Sequence, residues 1–127
     1  MIQEENVIVM DIDGTLCEVK PKDVEYIDLK PNPEVLGKLL EYRYKGFYII
    51  LLTSRQMRTH KGNIGRINAS TARVLFEWLD THEIPYDEVH FGKPWCGRGG
   101  FYVDDKAIRP SEFVNLSYEK ILEITKA

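Results

Sequence analysis

The stretch VIVMDIDGTLCEV, Val7 to Val19, decides how this chain is read. Four apolar residues, Val7 to Met10, run into two aspartates, Asp11 and Asp13, and then into Gly14 and Thr15. The apolar run has the length of a buried strand, and the glycine after it marks a turn. Two carboxylates so close repel, and removing them from water adds to the cost unless a cation lies between them. A positive partner is therefore expected at the end of this strand.

The 127-residue sequence as a whole bounds what that partner can serve. Its length suits one domain, 1–127, with a respectable core. With 43% hydrophobic and 29% charged residues it is an ordinary globular composition. A formal net charge of −3 gives no reason to expect nucleic acid as a partner. Cys17 and Cys96 lie far apart with no CxxC spacing, so neither a zinc site nor a disulfide framework is indicated, and a reducing, cytoplasmic setting fits. No basic start with a long apolar segment suggests secretion, and no apolar run approaches the ~18 residues of a membrane span. A soluble protein with no membrane partner is expected.

Along the chain, a short charged excursion, VKPKDVEYIDLKPNP, follows the first strand and is too brief for a domain; a small hairpin would fit it. Asn32 then caps a helix with Pro33 in its first turn, with Val35, Leu36, Leu39 and Leu40 on one face and Gly46 at its end. FYIILLT, Phe47 to Thr53, is apolar almost throughout, as a parallel strand covered on both faces would be. A loop, Ser54 to Asn68, precedes a helix carrying Val74, Leu75, Trp78 and Leu79. Glu88 to Phe91 and Phe101 to Asp105 are the other strands, and a final helix runs from about Ser117 to Lys126 with Ile121, Leu122 and Ile124 apolar. This alternation predicts an α/β fold, Rossmann-like, with a mainly parallel sheet flanked by helices.

In such sheets the ligand site lies beyond the carboxyl ends of the strands. Asp11 and Asp13, Thr53 and Ser54, Lys93, and Asp104 and Asp105 would then share one crevice. Carboxylates, a hydroxyl and a lysine at one sheet edge suit phosphoryl transfer assisted by Mg²⁺, which takes oxygen ligands and commonly only one or two protein carboxylates. Asp11 would ligate the metal and attack phosphorus, giving an aspartyl phosphate. Asp13 would protonate the leaving alkoxide and then deprotonate water, and its backbone carbonyl could join the metal. Gly14 lets the main chain approach the phosphate, Thr53 offers it a hydroxyl, and Lys93 offsets the gathered negative charge.

DIDGT, LLTS, FGKP and YVDD, in that order, resemble the four motifs of the haloacid-dehalogenase-like (HAD) superfamily of phosphatases and together span nearly the whole chain. The resemblance implies Asp11 as nucleophile, Asp13 as acid and base, Thr53 as the phosphate-binding hydroxyl and Lys93 as the lysine. It implies Asp104 and Asp105 as the acidic pair on the metal, with Asp105 the direct ligand. SRQMRTHKGNIGRIN and PYDEVHFGKPWCGRGGFYVDDKAIRPSEF are similar to a small subfamily described as capsule biosynthesis phosphatases, which implies a small sugar phosphate or related metabolite in polysaccharide assembly. No insertion is long enough for a large cap domain.

Between Ser54 and Phe76 there is no acidic residue, while Arg55, Arg58, His60, Lys61, Arg66 and Arg73 all fall there. That run would draw an anion, with Ser54, Arg55 and Arg58 as candidate substrate contacts, or would be a solvated basic face. Trp95 could stack on a sugar ring or pack its loop, and Cys96, His82 and His90 read as structural. Without a cap, the cover over the site must come from the Arg55–Asn68 loop, a neighbouring subunit or the substrate, so a homo-oligomer is expected. Two other functions use similar residues: a catalytically idle interaction module of the same fold, and a receiver-like phosphoacceptor domain, in which the acidic pair precedes the phosphoacceptor.

Overall fold

In a computed structural model of the protein, residues 6–126 are described and fall into two units, one ending at Trp95 and one beginning at Cys96. In the first unit, strand β1 is Val7–Asp11, β2 is Tyr48–Thr53 and β3 is Glu88–Phe91. They form a parallel sheet in the order β1-β2-β3. The register sets Asp11 beside Leu52 and Thr53 beside Phe91, so the strands finish at nearly one level. β2 is central and its residues are mostly buried, as its apolar run requires. β1 is less enclosed than its composition suggests, with Val9 59% exposed.

Helix α1, Pro33–Tyr44, returns the chain from β1 to β2. The Asn32 side chain accepts hydrogen bonds from the Glu34 and Val35 amides, and Pro33 occupies the first turn, where its missing N–H costs nothing. Its buried residues are Val35, Leu39 and Tyr42, whereas Leu40 is exposed. The steps of four and three residues turn Tyr42 inward, where its ring meets Phe47 edge to face at 4.9 Å. Leu40 falls outside the buried stripe, which drifts round the helix towards Tyr42.

The return from β2 to β3 begins helix earlier than the polar composition predicts. Asn63 caps a single turn α2, Ile64–Arg66, which passes through a π-helical turn, Ile67–Thr71, into α3, Ala72–Thr81. Residues 64–68 are therefore helical, not loop. Ile67, Leu75, Trp78 and Leu79 are buried, while Val74 remains at the surface. The excursion between β1 and α1 holds no pair of strands, and its two ends meet only in a single antiparallel bridge, Cys17 to Pro31. It carries a 3₁₀ turn, Tyr26–Asp28, and is tied down by the Trp78 indole N–H, which donates to the Leu29 carbonyl at 2.6 Å.

The second unit holds α4, Pro110–Asn115, which the sequence reading missed, and α5, Tyr118–Thr125, capped by the Ser117 side chain. Phe101 to Asp105 is not a strand. Residues become a strand by sharing a hydrogen-bonded ladder, and among the described residues this run shares none. Phe101 is 78% and Val103 88% exposed, and the Asp104 carboxylate bends the chain by accepting from the Lys106 amide at 2.9 Å. Among the described residues no helix is long and apolar enough to cross a membrane.

Candidate active site

The end of β1 delivers Asp11, and the turn after it delivers Asp13 on the same side. The Ile12 carbonyl takes amide bonds from Thr15, Leu16 and Cys17, which folds the chain back sharply. Gly14 sits at φ 87°, in the left-handed region that favours glycine. Across the sheet, Thr53 closes β2, and its carbonyl accepts from the Lys93 amide at 3.1 Å, which fixes the turn after β3 against it. Gly92, at φ 88°, leads into Lys93; a Cβ there would lie 2.8 Å from Ile64 Cδ1. The exposed Ile64 methyl could move aside, so it is the left-handed backbone that favours glycine there.

These turns bring the charges together. Lys93 Nζ stands 3.4 Å from Asp11 Oδ1, although 82 residues separate them, and the Thr15 hydroxyl donates to Asp11 Oδ2 at 3.4 Å. Thr53 Oγ1 donates to Asp13 Oδ2 at 3.1 Å while accepting the Arg55 amide at 2.9 Å. Burial pushes the Asp11 carboxyl above the ordinary carboxylate range, Lys93 opposes that rise, and repulsion from Asp13 adds to it. The lysine alone does not compensate the site for its negative charge.

Arg55 is not the surface arm expected of a substrate contact. Its side chain is 1% exposed; Nη2 reaches Asp13 Oδ1 at 2.8 Å, and Nε lies 3.3 Å from both Asp13 oxygens. The Tyr26 ring covers the guanidinium at 4.2 Å. Asp13 is thus held by a buried arginine and a threonine at once. Sequence reading missed this partnership and missed Tyr26 altogether. The available signal was a tyrosine within a charge-rich excursion, and an arginine only two residues after a mostly buried strand.

Arg58 is exposed and lies over Trp95 at 5.6 Å, so one face of that indole is already occupied by a cation. Ser54 accepts the Met57 amide in the turn leaving β2. Asp104 and Asp105 belong to the second unit and are exposed there. Among the described residues no group of three or more His, Cys, Asp or Glu side chains is gathered to hold a metal.

Cys17 lies beneath this turn with its thiol 3.9 Å from Asp13 Oδ1. Burial, reinforced by the Asp13 charge, pushes it up to about 12. Cys96 is partly accessible, and both are free thiols. A thiol reagent at about pH 8 is therefore expected to modify one cysteine per folded chain, Cys96, and the second only in denaturant. Rapid modification of both in the native protein would contradict the burial of Cys17.

No protein-family model and no curated protein matches the chain. Among solved structures, the crystal structure of a structural-genomics target from Vibrio cholerae is similar, with a TM-score of 0.90 and 45% sequence identity over 95% of this chain and 97% of that one.

Proposed function

We propose that this chain, which belongs to one family with the Vibrio cholerae protein, is a Mg²⁺-dependent phosphomonoester hydrolase of the haloacid-dehalogenase-like type, working through an aspartyl phosphate on Asp11. The observation that carries the reading is the pairing of Asp11 with Lys93 at 3.4 Å beside an Asp13 already oriented by Thr53 and Arg55, all at the carboxyl end of a parallel sheet.

The donor set suits a hard cation. Asp11 is a half-buried carboxylate with its charged form disfavoured, Asp13 adds a second negative charge, and both present oxygen. The Asp11 carboxylate and the Asp13 main-chain carbonyl would hold Mg²⁺, which when bound would offset charge building on the phosphoryl oxygens.

The remaining steps belong to the side chains. An Asp11 oxygen attacks phosphorus, and the bond from phosphorus to the ester oxygen breaks. Asp13, in its acid form, gives its proton to that oxygen, so an alcohol leaves. Water then attacks the aspartyl phosphate, Asp13 takes back a proton, and inorganic phosphate departs with Asp11 restored. Lys93, which follows β3 at the same carboxyl end of the sheet, faces Asp11 and stabilises charge on the transferring group. Arg55 and Thr53 keep the Asp13 carboxyl in one orientation through both proton transfers, which avoids reorganisation at the moment of reaction.

The test is hydrolysis of p-nitrophenyl phosphate. Turnover is expected with Mg²⁺, abolished by EDTA and restored by excess Mg²⁺, with Ca²⁺ inhibiting because its looser coordination misplaces the attacking carboxylate. Full activity in chelator would remove the metal from the reading, and no hydrolysis of any phosphomonoester would remove the reaction.

A further inference from the structure

Thr53 by itself holds one oxygen of Asp13: its hydroxyl donates to Oδ2 at 3.1 Å, and a carboxyl held at a single point can still turn about that bond. Arg55 supplies the second point. Its Nη2 reaches Oδ1 at 2.8 Å and its Nε lies 3.3 Å from both oxygens, so the orientation of the guanidinium sets that of the carboxyl. The far side of the guanidinium has no such tie. Nη1 is buried there with no hydrogen-bond partner among the described residues.

A ring meets the guanidinium instead. Tyr26 lies with its centroid 4.2 Å from Arg55 Cζ, and the electron-rich face of an aromatic ring attracts a cation most where water is excluded, as around an arginine side chain that is 1% exposed. We propose that Tyr26 is a positioning residue for the hydrolysis: its ring keeps the Arg55 guanidinium in place and, through it, keeps the Asp13 carboxyl aimed at the leaving oxygen. Without the ring, water would compete for the Arg55 N–H groups and the carboxyl would be free to turn.

Tyr26 can do this because its own segment is anchored. It opens the 3₁₀ turn, whose end is closed by the Leu29 amide donating to the Tyr26 carbonyl at 3.2 Å, and Leu29 is the residue that the Trp78 indole holds. Its neighbours Glu25 and Ile27 are exposed, so the ring is not one piece of a wider apolar layer. Tyr26 also stands outside all four sequence motifs. The inference rests on the hydrolase reading for the proton transfer at Asp13, but the contact with Arg55 can be tested without turnover.

The kinetic readout is the ratio of kcat/KM for benzyl phosphate, whose alkoxide must be protonated as it leaves, to that for p-nitrophenyl phosphate, whose phenolate need not be. Each ester carries one aromatic ring, so changes in binding largely cancel. Tyr26→Leu should lower the ratio by about tenfold or more, and Tyr26→Phe should keep it within about twofold because the ring face remains. Tyr44→Leu, at a residue 95% exposed, is the control. Equal slowing of both esters in Tyr26→Leu, or an unchanged ratio, would overturn the proposal. NMR of the Arg55 Nε–H, assigned through its own side-chain carbons, reports the contact itself. In the wild type this proton should exchange slowly with water and be shifted upfield by the ring, and in Tyr26→Leu it should lose both properties. Exchange in the wild type at the rate of an exposed arginine would overturn the proposal whether or not the variants fold. A protected Nε–H with no hydrolysis of either ester would overturn the hydrolase reading and the role built on it, whereas hydrolysis with an unchanged ratio overturns the role of Tyr26 alone.

Discussion

Replacing Asp11 with Asn should cut turnover by about 10⁴-fold or more and, at neutral pH, make the protein harder to melt. The first effect follows from removing the attacking oxygen's charge with almost no change in volume. The second follows from the burial that raises the Asp11 carboxyl. A carboxyl whose folded pKa lies above its unfolded one gives stability that is fully present below the unfolded value and is lost as pH rises through the folded value. At pH 7 the wild-type protein has lost it and carries a half-buried carboxylate in a poor environment. Asparagine is neutral throughout and escapes that loss, so its advantage should shrink as the pH falls towards about 4. Thermal melts in chelator at several pH values, beside steady-state assays, would measure both effects. Wild-type turnover in Asp11→Asn would exclude Asp11 as nucleophile, and a lower melting temperature at neutral pH would mean that the Lys93 contact outweighs burial.

Trp78→Ala should cost about 3–5 kcal/mol, a large share of the roughly 5–15 kcal/mol that holds a domain of this size together. Trp78 is fully buried, stacks edge to face on His82 at 5.2 Å, and donates to a Leu29 carbonyl that is itself buried. Truncation therefore leaves a cavity and an unsatisfied acceptor together. Trp78→Phe separates the two losses, keeping most of the volume and discarding only the hydrogen bond, and should cost about 1–3 kcal/mol. Urea unfolding midpoints would give both values. Because Leu29 follows the 3₁₀ turn that carries Tyr26, loosening this anchor should also free the ring from Arg55. A Trp78→Ala protein within about 1 kcal/mol of wild type would show that the excursion is held by something else.

The parts of the fold that were legible in the sequence are those fixed by short-range pattern. β3 at Glu88–Phe91, the end of β2 at Thr53, and the Asn32–Pro33 start of α1 could be read because apolar runs and capping residues act on their immediate neighbours. The placement of Asp11, Asp13, Thr53 and Lys93 at one sheet end followed from strand order alone. What the sequence hid was set by distant packing. Nothing local distinguishes Arg55, buried under Tyr26, from exposed Arg58 in the same basic run. Residues 64–68, Ile-Gly-Arg-Ile-Asn, looked like loop because they end a polar, glycine-containing segment and a helix exposed on most sides needs few apolar positions; Ile67 supplies the buried one. Phe101 to Asp105 has strand composition, but composition cannot supply the partner a ladder requires.

The sheet order β1-β2-β3 also orders events in time. A chain emerging from a ribosome at about 5–20 residues per second can complete its first parallel pair once Thr53 is free, and β3 then adds to the outer edge of that pair without prising strands apart. Asp11 ends the first strand and Asp13 lies in the turn after it, so the two are close together before Lys93 has been synthesised. Arg55, only two residues beyond β2, pairs with Asp13 and precedes Lys93 in the chain. A nascent chain thus has the guanidinium partner of Asp13 in hand once the first strand pair is complete, and Lys93, the partner of Asp11, arrives only afterwards.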